Sequence, residues 1–212
     1  MSDLAFAGLV EVGRKIRDGE LTSVAVTEAM FERIDRLDDT YHSYARLMRD
    51  SALADAARAD AEIAAGTRRG PLHGVPVGIK DIFDTKDMPT GHGFGPYQGK
   101  EFGVDSTCVA QLRDAGMVIM GKTVTTEFAC PKPRQTLNPH DPMRTPGVSS
   151  SGSAASVADY MVPLANGTQT GGSVIGPAAN CGIYGYKASL DGIDRSGFRH
   201  CKKSIDTIGL FA

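Results

Sequence analysis

Apolar and polar positions change their period several times along this chain. Leu4, Phe6, Leu9, Val10, Val12 and Ile16 recur with a broadly helical spacing, which predicts a helix over about residues 4–18. Thr22 or Ser23 then offers an N-cap for a second helix, with Val26, Met30, Phe31, Ile34 and Leu37 on one face. Residues 51–65 are rich in Ala, Asp, Glu and Arg and favour a third helix by intrinsic propensity. From His73 the texture changes. His73 to Asp84 reads as a short strand entering a tight turn, and Val109 to Gly116 as a helix stopped by glycine. Met117 to Gly121 reads as a buried strand. Strands alternating with helices predict an α/β fold with a covered sheet.

A Gly/Ser-rich stretch interrupts this alternation. It runs from Thr145 through Ser156 and resumes from Val162 to Ser173. Such composition usually marks a flexible linker. Here Ala154, Ala155, Val157, Ala158, Met161, Val162 and Leu164 are interleaved with the small polar residues. That pattern suits a packed helix followed by a buried strand, so the stretch reads as an ordered site.

Composition narrows the function classes. The 212 residues carry a net charge of −2, which gives no basic surface for nucleic acid or anionic membrane. No apolar run reaches the roughly 20 residues of a membrane span. The opening Met1–Phe6 has neither the basic start nor the apolar core of a signal peptide, and the expectation is a cytoplasmic protein. The four cysteines, Cys108, Cys130, Cys181 and Cys201, form no metal-binding spacing. They are expected as reduced thiols, mostly in the core. The chain ends in the apolar Ile208–Ala212, which reads as buried sequence with more of the domain expected to follow.

The chemistry lies in hydroxyls and one lysine. A serine hydroxyl needs a base to become a nucleophile. None of the five histidines, His42, His73, His92, His140 and His200, sits in a catalytic motif. His140 reads as a turn residue and His73 as structural. A desolvated lysine serves instead, because burial disfavours the ammonium. Lys80 lies among Val75, Val77, Ile79, Ile82 and Phe83; the alternative is a structural ion pair with Asp81 or Asp84. Thr170-Gly171-Gly172-Ser173 suits an oxyanion hole, because consecutive glycines let backbone amides converge. A plain strand-to-helix turn is the blander reading of the same residues. Gly147 to Ser153 has P-loop spacing without the lysine, and no G-x-S-x-G elbow is present.

These residues resemble the amidase signature family, whose members use a Ser-Ser-Lys triad. Gly74-Val-Pro-Val-Gly-Ile-Lys80-Asp81, Gly121 to Ala129, Thr145 to Ser156 and Gly167 to Ile175 with Pro177-Ala-Ala carry the resemblance, which covers essentially the whole chain. It implies a mixed central sheet covered by helices on both faces. Residues 1–212 would be the N-terminal portion of one such domain, with a mainly helical entry over 1–70 and the catalytic core motifs over 71–212. It places Lys80 as the triad lysine, Ser149 as the bridging serine, held in the family through a cis peptide bond, and Ser173 as the nucleophile. Separations of 69 positions from Lys80 to Ser149 and 24 from Ser149 to Ser173 agree with relatives. Thr170, Gly171 and Gly172, with Ser173, would supply the oxyanion-hole amides. The implied reaction is hydrolysis of a small-molecule amide through an acyl-enzyme, with no metal and no cofactor.

Three departures stand out. Val148 replaces the usual glycine before Ser149. Gly176 stands where malonamidase-like relatives place an arginine for a substrate carboxylate, and Asn180 replaces an aromatic, so an acidic substrate is not expected to be held there. The chain is also about half the family length, which predicts exposed sheet edges and a possible homo-oligomer. Two alternatives stay open: a catalytically impaired remnant, and the glutaminase-type subunit of a tRNA-dependent amidotransferase, which shares the triad.

Overall fold

A computed structural model describes residues 6–132 and 135–212. Its centre is a six-stranded mixed sheet in the order β1-β3-β2-β4-β6-β5. The strands are β1 (Tyr44–Leu47), β2 (Pro76–Lys80), β3 (Val118–Thr123), β4 (Ala165–Gln169), β5 (Gly185–Lys187) and β6 (Thr207–Phe211). The helices are α1 (Leu9–Arg17), α2 (Ser23–Tyr41), α3 (Arg49–Ala64), α4 (Thr107–Asp114), α5 (Ser151–Ala158) and α6 (Ile175–Cys181). β2 is parallel to both β3 and β4, whereas β1, β5 and β6 pair antiparallel with their neighbours.

Every residue of β2, β3 and β4 is buried. Side chains of a strand alternate between faces, so both faces of the central sheet are covered, as expected of an α/β fold. Lys80, Gly78 and Thr123 point to the face under α5: the Thr123 hydroxyl meets Ser153 Oγ of α5 at 2.6 Å. α5 reads Ser-Gly-Ser-Ala-Ala-Ser-Val-Ala, and its small side chains let the helix lie close against the strands. The core includes Phe31, Phe83, Phe211, Ile16, Met30 and Ile79, all fully buried.

Most sequence expectations hold. Thr22 caps α2, accepting the Ala25 N–H at 3.1 Å, and such a cap contributes about 1 kcal/mol. α4 ends beside Gly116, whose φ of 77° is one that glycine takes without strain. The Gly/Ser-rich stretch is ordered as α5 and β4. Its strand begins at Ala165, later than the apolar run from Met161 to Leu164, which forms a buried lead-in. Two expectations need correction. The first helix begins at Leu9, Leu4 lies outside the described residues, and Val10 is 83% exposed because the buried stripe runs through Val12 and Ile16. Only two cysteines are in the core, Cys108 and Cys181, while Cys130 and Cys201 sit on surface loops. The entry segment over 1–70 is mainly helical, with α1, α2 and α3, and adds one short strand, β1, to the common sheet.

Candidate active site

The site lies at the carboxyl ends of two neighbouring parallel strands, β2 and β4, the usual position for ligand sites in open α/β sheets. Lys80 is the last residue of β2 and is fully buried. Its Nζ lies 2.8 Å from Ser149 Oγ, 2.8 Å from Ser150 Oγ and 2.8 Å from Thr168 Oγ1. The backbone N–H of Lys80 donates to Asn166 Oδ1 at 2.7 Å, which ties β2 to β4 at the same level. Burial among hydroxyls pulls the Lys80 pKa down to about 7, and the charge of Asp206 opposes that shift.

The hydroxyl pattern gives each group a direction. Ser150 Oγ donates to the Thr168 carbonyl at 3.3 Å, so toward Lys80 it can only accept. A neutral amine has two N–H groups and one lone pair. With one N–H spent on Ser150, the lone pair must face Ser149 or Thr168.

The alternative reading of Lys80, an ion pair with Asp81 or Asp84, is not what forms. Asp81 turns instead to Lys122 of β3, whose Nζ is 3.2 Å from its carboxylate. Lys122 also donates to the Phe83 carbonyl at 2.7 Å and to Thr90 Oγ1 at 2.9 Å. Asp81 accepts the Gly91 N–H at 3.1 Å. Burial raises the Asp81 pKa and lowers that of Lys122, with their mutual attraction opposing both shifts.

Ser173 follows the turn Thr170-Gly171-Gly172 that leaves β4, and it is 8% exposed. Among the described residues its hydroxyl has no hydrogen-bond partner, so the Ser149–Ser173 step is not closed as a hydrogen bond here. Gly171 and Gly172 are exposed, and a Cβ on either would meet nothing within 4 Å. The turn is therefore open to approach from solvent. Gln169 fixes its far side, with Oε1 accepting the Val174 and Ile175 N–H groups at 2.9 Å each. Every described peptide bond is trans, including Val148–Ser149. This differs from the cis bond implied by the family resemblance; the trans chain still delivers Ser149 to within 2.8 Å of Lys80.

The histidines stay structural. His140 Nε2 contacts the Cys181 carbonyl at 2.8 Å, and His73 lies 3.1 Å from Glu62. His92 is buried among Tyr97, Phe102 and Phe128, and burial depresses its pKa to about 4. Among the described residues there is no cluster of His, Cys, Asp or Glu that could hold a metal, and no helix is long and apolar enough to cross a membrane. Sequence reasoning missed Ser150, Thr168 and Asp206. The first is masked by its serine neighbours, and the other two become relevant only through strand register.

Comparison with known proteins agrees with this fold. The sequence profile described as Amidase matches residues 25–212. A subunit of glutamyl-tRNA(Gln) amidotransferase from Thermobifida fusca (strain YX) is 42% identical over 218 aligned positions, covering 100% of this chain and 44% of that protein. The structure of a native peptide amidase from Stenotrophomonas maltophilia superposes with a TM-score of 0.91 at 35% identity, over 97% of this chain and 45% of that one. An amidase family protein from Bacillus anthracis str. Ames superposes with a TM-score of 0.90 at 32% identity, over 97% of this chain and 44% of that one. The chain thus spans less than half the length of these relatives.

Proposed function

Because the chain belongs to the Amidase family, we propose that it carries the catalytic half-site of a hydrolase cleaving amide C–N bonds, with Lys80, Ser149 and Ser173 as its triad. On this reading residues 1–212 are the N-terminal portion of one amidase domain. The observation that carries it is the Lys80 amine: fully buried, without a carboxylate partner among the described residues, and 2.8 Å from Ser149 Oγ. A lysine so placed can be neutral near pH 7 and accept a proton.

In the proposed reaction Ser149 passes its proton to Lys80 and takes one from Ser173. Ser173 attacks the amide carbonyl. The oxyanion that forms is met by backbone N–H groups of the Thr170–Ser173 turn. The proton returns through Ser149 to the leaving amine, which departs as ammonia or an amine, and water then hydrolyses the acyl-enzyme. Ser150 and Thr168 hold the amine so that its lone pair faces Ser149. Gly176, half-buried and with open space for a Cβ, provides no cation for an acidic substrate, which favours a neutral amide.

Intact mass after fluorophosphonate treatment tests the reading. One adduct on the parent and none on Ser173→Ala is expected. An equal adduct on both, or none on either, defeats it. A second reading, the amide-hydrolysing component of an amidotransferase, is favoured by the names of relatives such as the Thermobifida fusca protein. It predicts ammonia release from glutamine that depends on partner proteins, where the first reading predicts turnover of simple amides alone.

A further inference from the structure

We propose that Asp206 is a positioning residue of this site: from the residue before β6 it clamps the glycine turn that carries Ser173 and places a buried negative charge on the side of the sheet where Lys80 meets Thr168. The proposal rests on the reading of Lys80 and Ser173 given above.

A carboxylate that is 2% exposed needs a reason to be there. Strand register supplies one. β4 and β6 run antiparallel with Gln169 opposite Thr207, so Asp206 lies one step further, across from Thr170. Asp206 Oδ1 accepts the Thr170 hydroxyl in a short hydrogen bond. Oδ2 accepts the Lys202 backbone N–H at 2.8 Å. One carboxylate therefore joins the first residue of the turn to the loop before β6.

The charge on Asp206 is only lightly compensated. Lys202 reaches the carboxylate through its backbone. Arg195 reaches the Asp206 main-chain carbonyl at 2.9 Å, and its own guanidinium pairs with Asp191. His200 Nδ1 stands 3.6 Å from Oδ2, and the Cys201 thiol feels the same carboxylate. Around Lys80 the near partners are the uncharged Ser149, Ser150 and Thr168, and Asp81 is held by Lys122. Thr168, which meets the Lys80 amine at 2.8 Å, and Thr170, which Asp206 holds, stand two residues apart along one extended run and so share a face, which puts the Asp206 carboxylate on the Lys80 side, where its charge acts against the larger effect of burial. It keeps Lys80 basic enough to take a proton while holding the turn in place.

The two roles separate in one experiment. Parent, Asp206→Asn and Thr170→Val are grown with lysine carrying 13C at Cε. The Lys80 resonance, identified by its loss in Lys80→Met, is titrated by NMR, and the rate of fluorophosphonate labelling is followed against pH. Asp206→Asn is expected to lower the Lys80 midpoint by about one pH unit and to slow labelling roughly tenfold or more at its plateau. Thr170→Val is expected to slow labelling while leaving the midpoint in place. A purely structural Asp206 would slow labelling in both variants and move the midpoint in neither, and that result overturns the proposal. The titration needs no turnover. A parent that never labels at Ser173 defeats the triad reading, while the Lys80 midpoint still decides the charge role. If Asp206→Asn does not fold, Thr170→Val beside Thr170→Ser decides the clamp: loss with Val and recovery with Ser supports it, and parent-like labelling with Val overturns it.

Discussion

Two buried lysines sit on adjacent parallel strands and do opposite things. Lys122 of β3 faces a carboxylate, a carbonyl and one hydroxyl, and its loop partners Asp81, Phe83 and Thr90 are thereby locked to the sheet. Among the described residues, Lys80 of β2 faces three hydroxyls and no carboxylate within ion-pair reach. Burial penalises the ammonium in both cases. A salt-bridged partner returns most of that loss, whereas hydroxyls return less. The same residue type at the same depth is a structural cation in one place and, on the reading proposed above, a proton acceptor in the other. The difference lies in the partners.

Substitutions can break this contrast. The largest effect is expected from Lys80→Met, which should cut fluorophosphonate labelling of Ser173 by roughly 10²–10⁴-fold, the usual contribution of a general base. The same change should leave stability at pH 6 equal or higher. The sign follows from protonation. With a folded pKa of about 7 and an ordinary value of 10.5, the unfolded chain binds more protons between those limits. Stability from this group therefore rises with pH across that window, and its full cost is felt below pH 7. Urea melts of parent and Lys80→Met at pH 6 and pH 9 check this; a variant clearly less stable than its parent at pH 6 would contradict it.

Lys122→Met should behave in the reverse way. It leaves Asp81 buried without its cation, which costs about 3–5 kcal/mol. Adding Asp81→Asn to it should recover part of the loss. Denaturant melts of the single and double variants measure both. A single variant as stable as the parent would mean that Lys122 is not a structural cation.

A smaller effect concerns pH. Labelling of the parent should rise with a midpoint near pH 7, as Lys80 loses its proton. A pH-independent rate would remove Lys80 from the role of base. Smaller still, Ser150→Ala and Thr168→Val each remove one hydrogen bond to the amine. Each should lower labelling by roughly 2–10-fold, the equivalent of about 0.5–1.5 kcal/mol. Thr168→Ser should restore most of it.

Much of this was legible in sequence, and the limits have physical causes. Thr22, Gly116 and the apolar neighbours of Lys80 act locally, so cap, helix stop and buried strand could each be read from a few residues. β4 was located but placed early, because Ala-Asn-Gly-Thr-Gln has weak strand propensity and is extended only because β2 and β6 flank it. β5 has three residues and no pattern of its own. Thr168 looked like any β-branched strand residue. Asp206 lies 126 positions from Lys80 in the chain, and only the pairing of β4 with β6 gives it a part in the site. The exposure of Cys130 and Cys201 was equally illegible, since a cysteine's burial depends on loops that its neighbours do not specify.

The tight seat of α5 has a consequence for how such a site can change over generations. A methyl group on Gly152 would meet the Val124 amide nitrogen at 2.3 Å and the Ser43 carbonyl oxygen at 2.4 Å. One on Gly167 would meet Phe211 at 2.6 Å and Ser150 Oγ at 2.9 Å. Gly171, Gly172 and Gly176 meet nothing. A side chain is therefore barred at Gly152 and Gly167 and accommodated at Gly171, Gly172 and Gly176. On the triad reading proposed above, a lineage built on this scaffold can exchange what it recognises while inheriting its proton-transfer machinery unaltered, and a mutational library aimed at new selectivity belongs on the open rim.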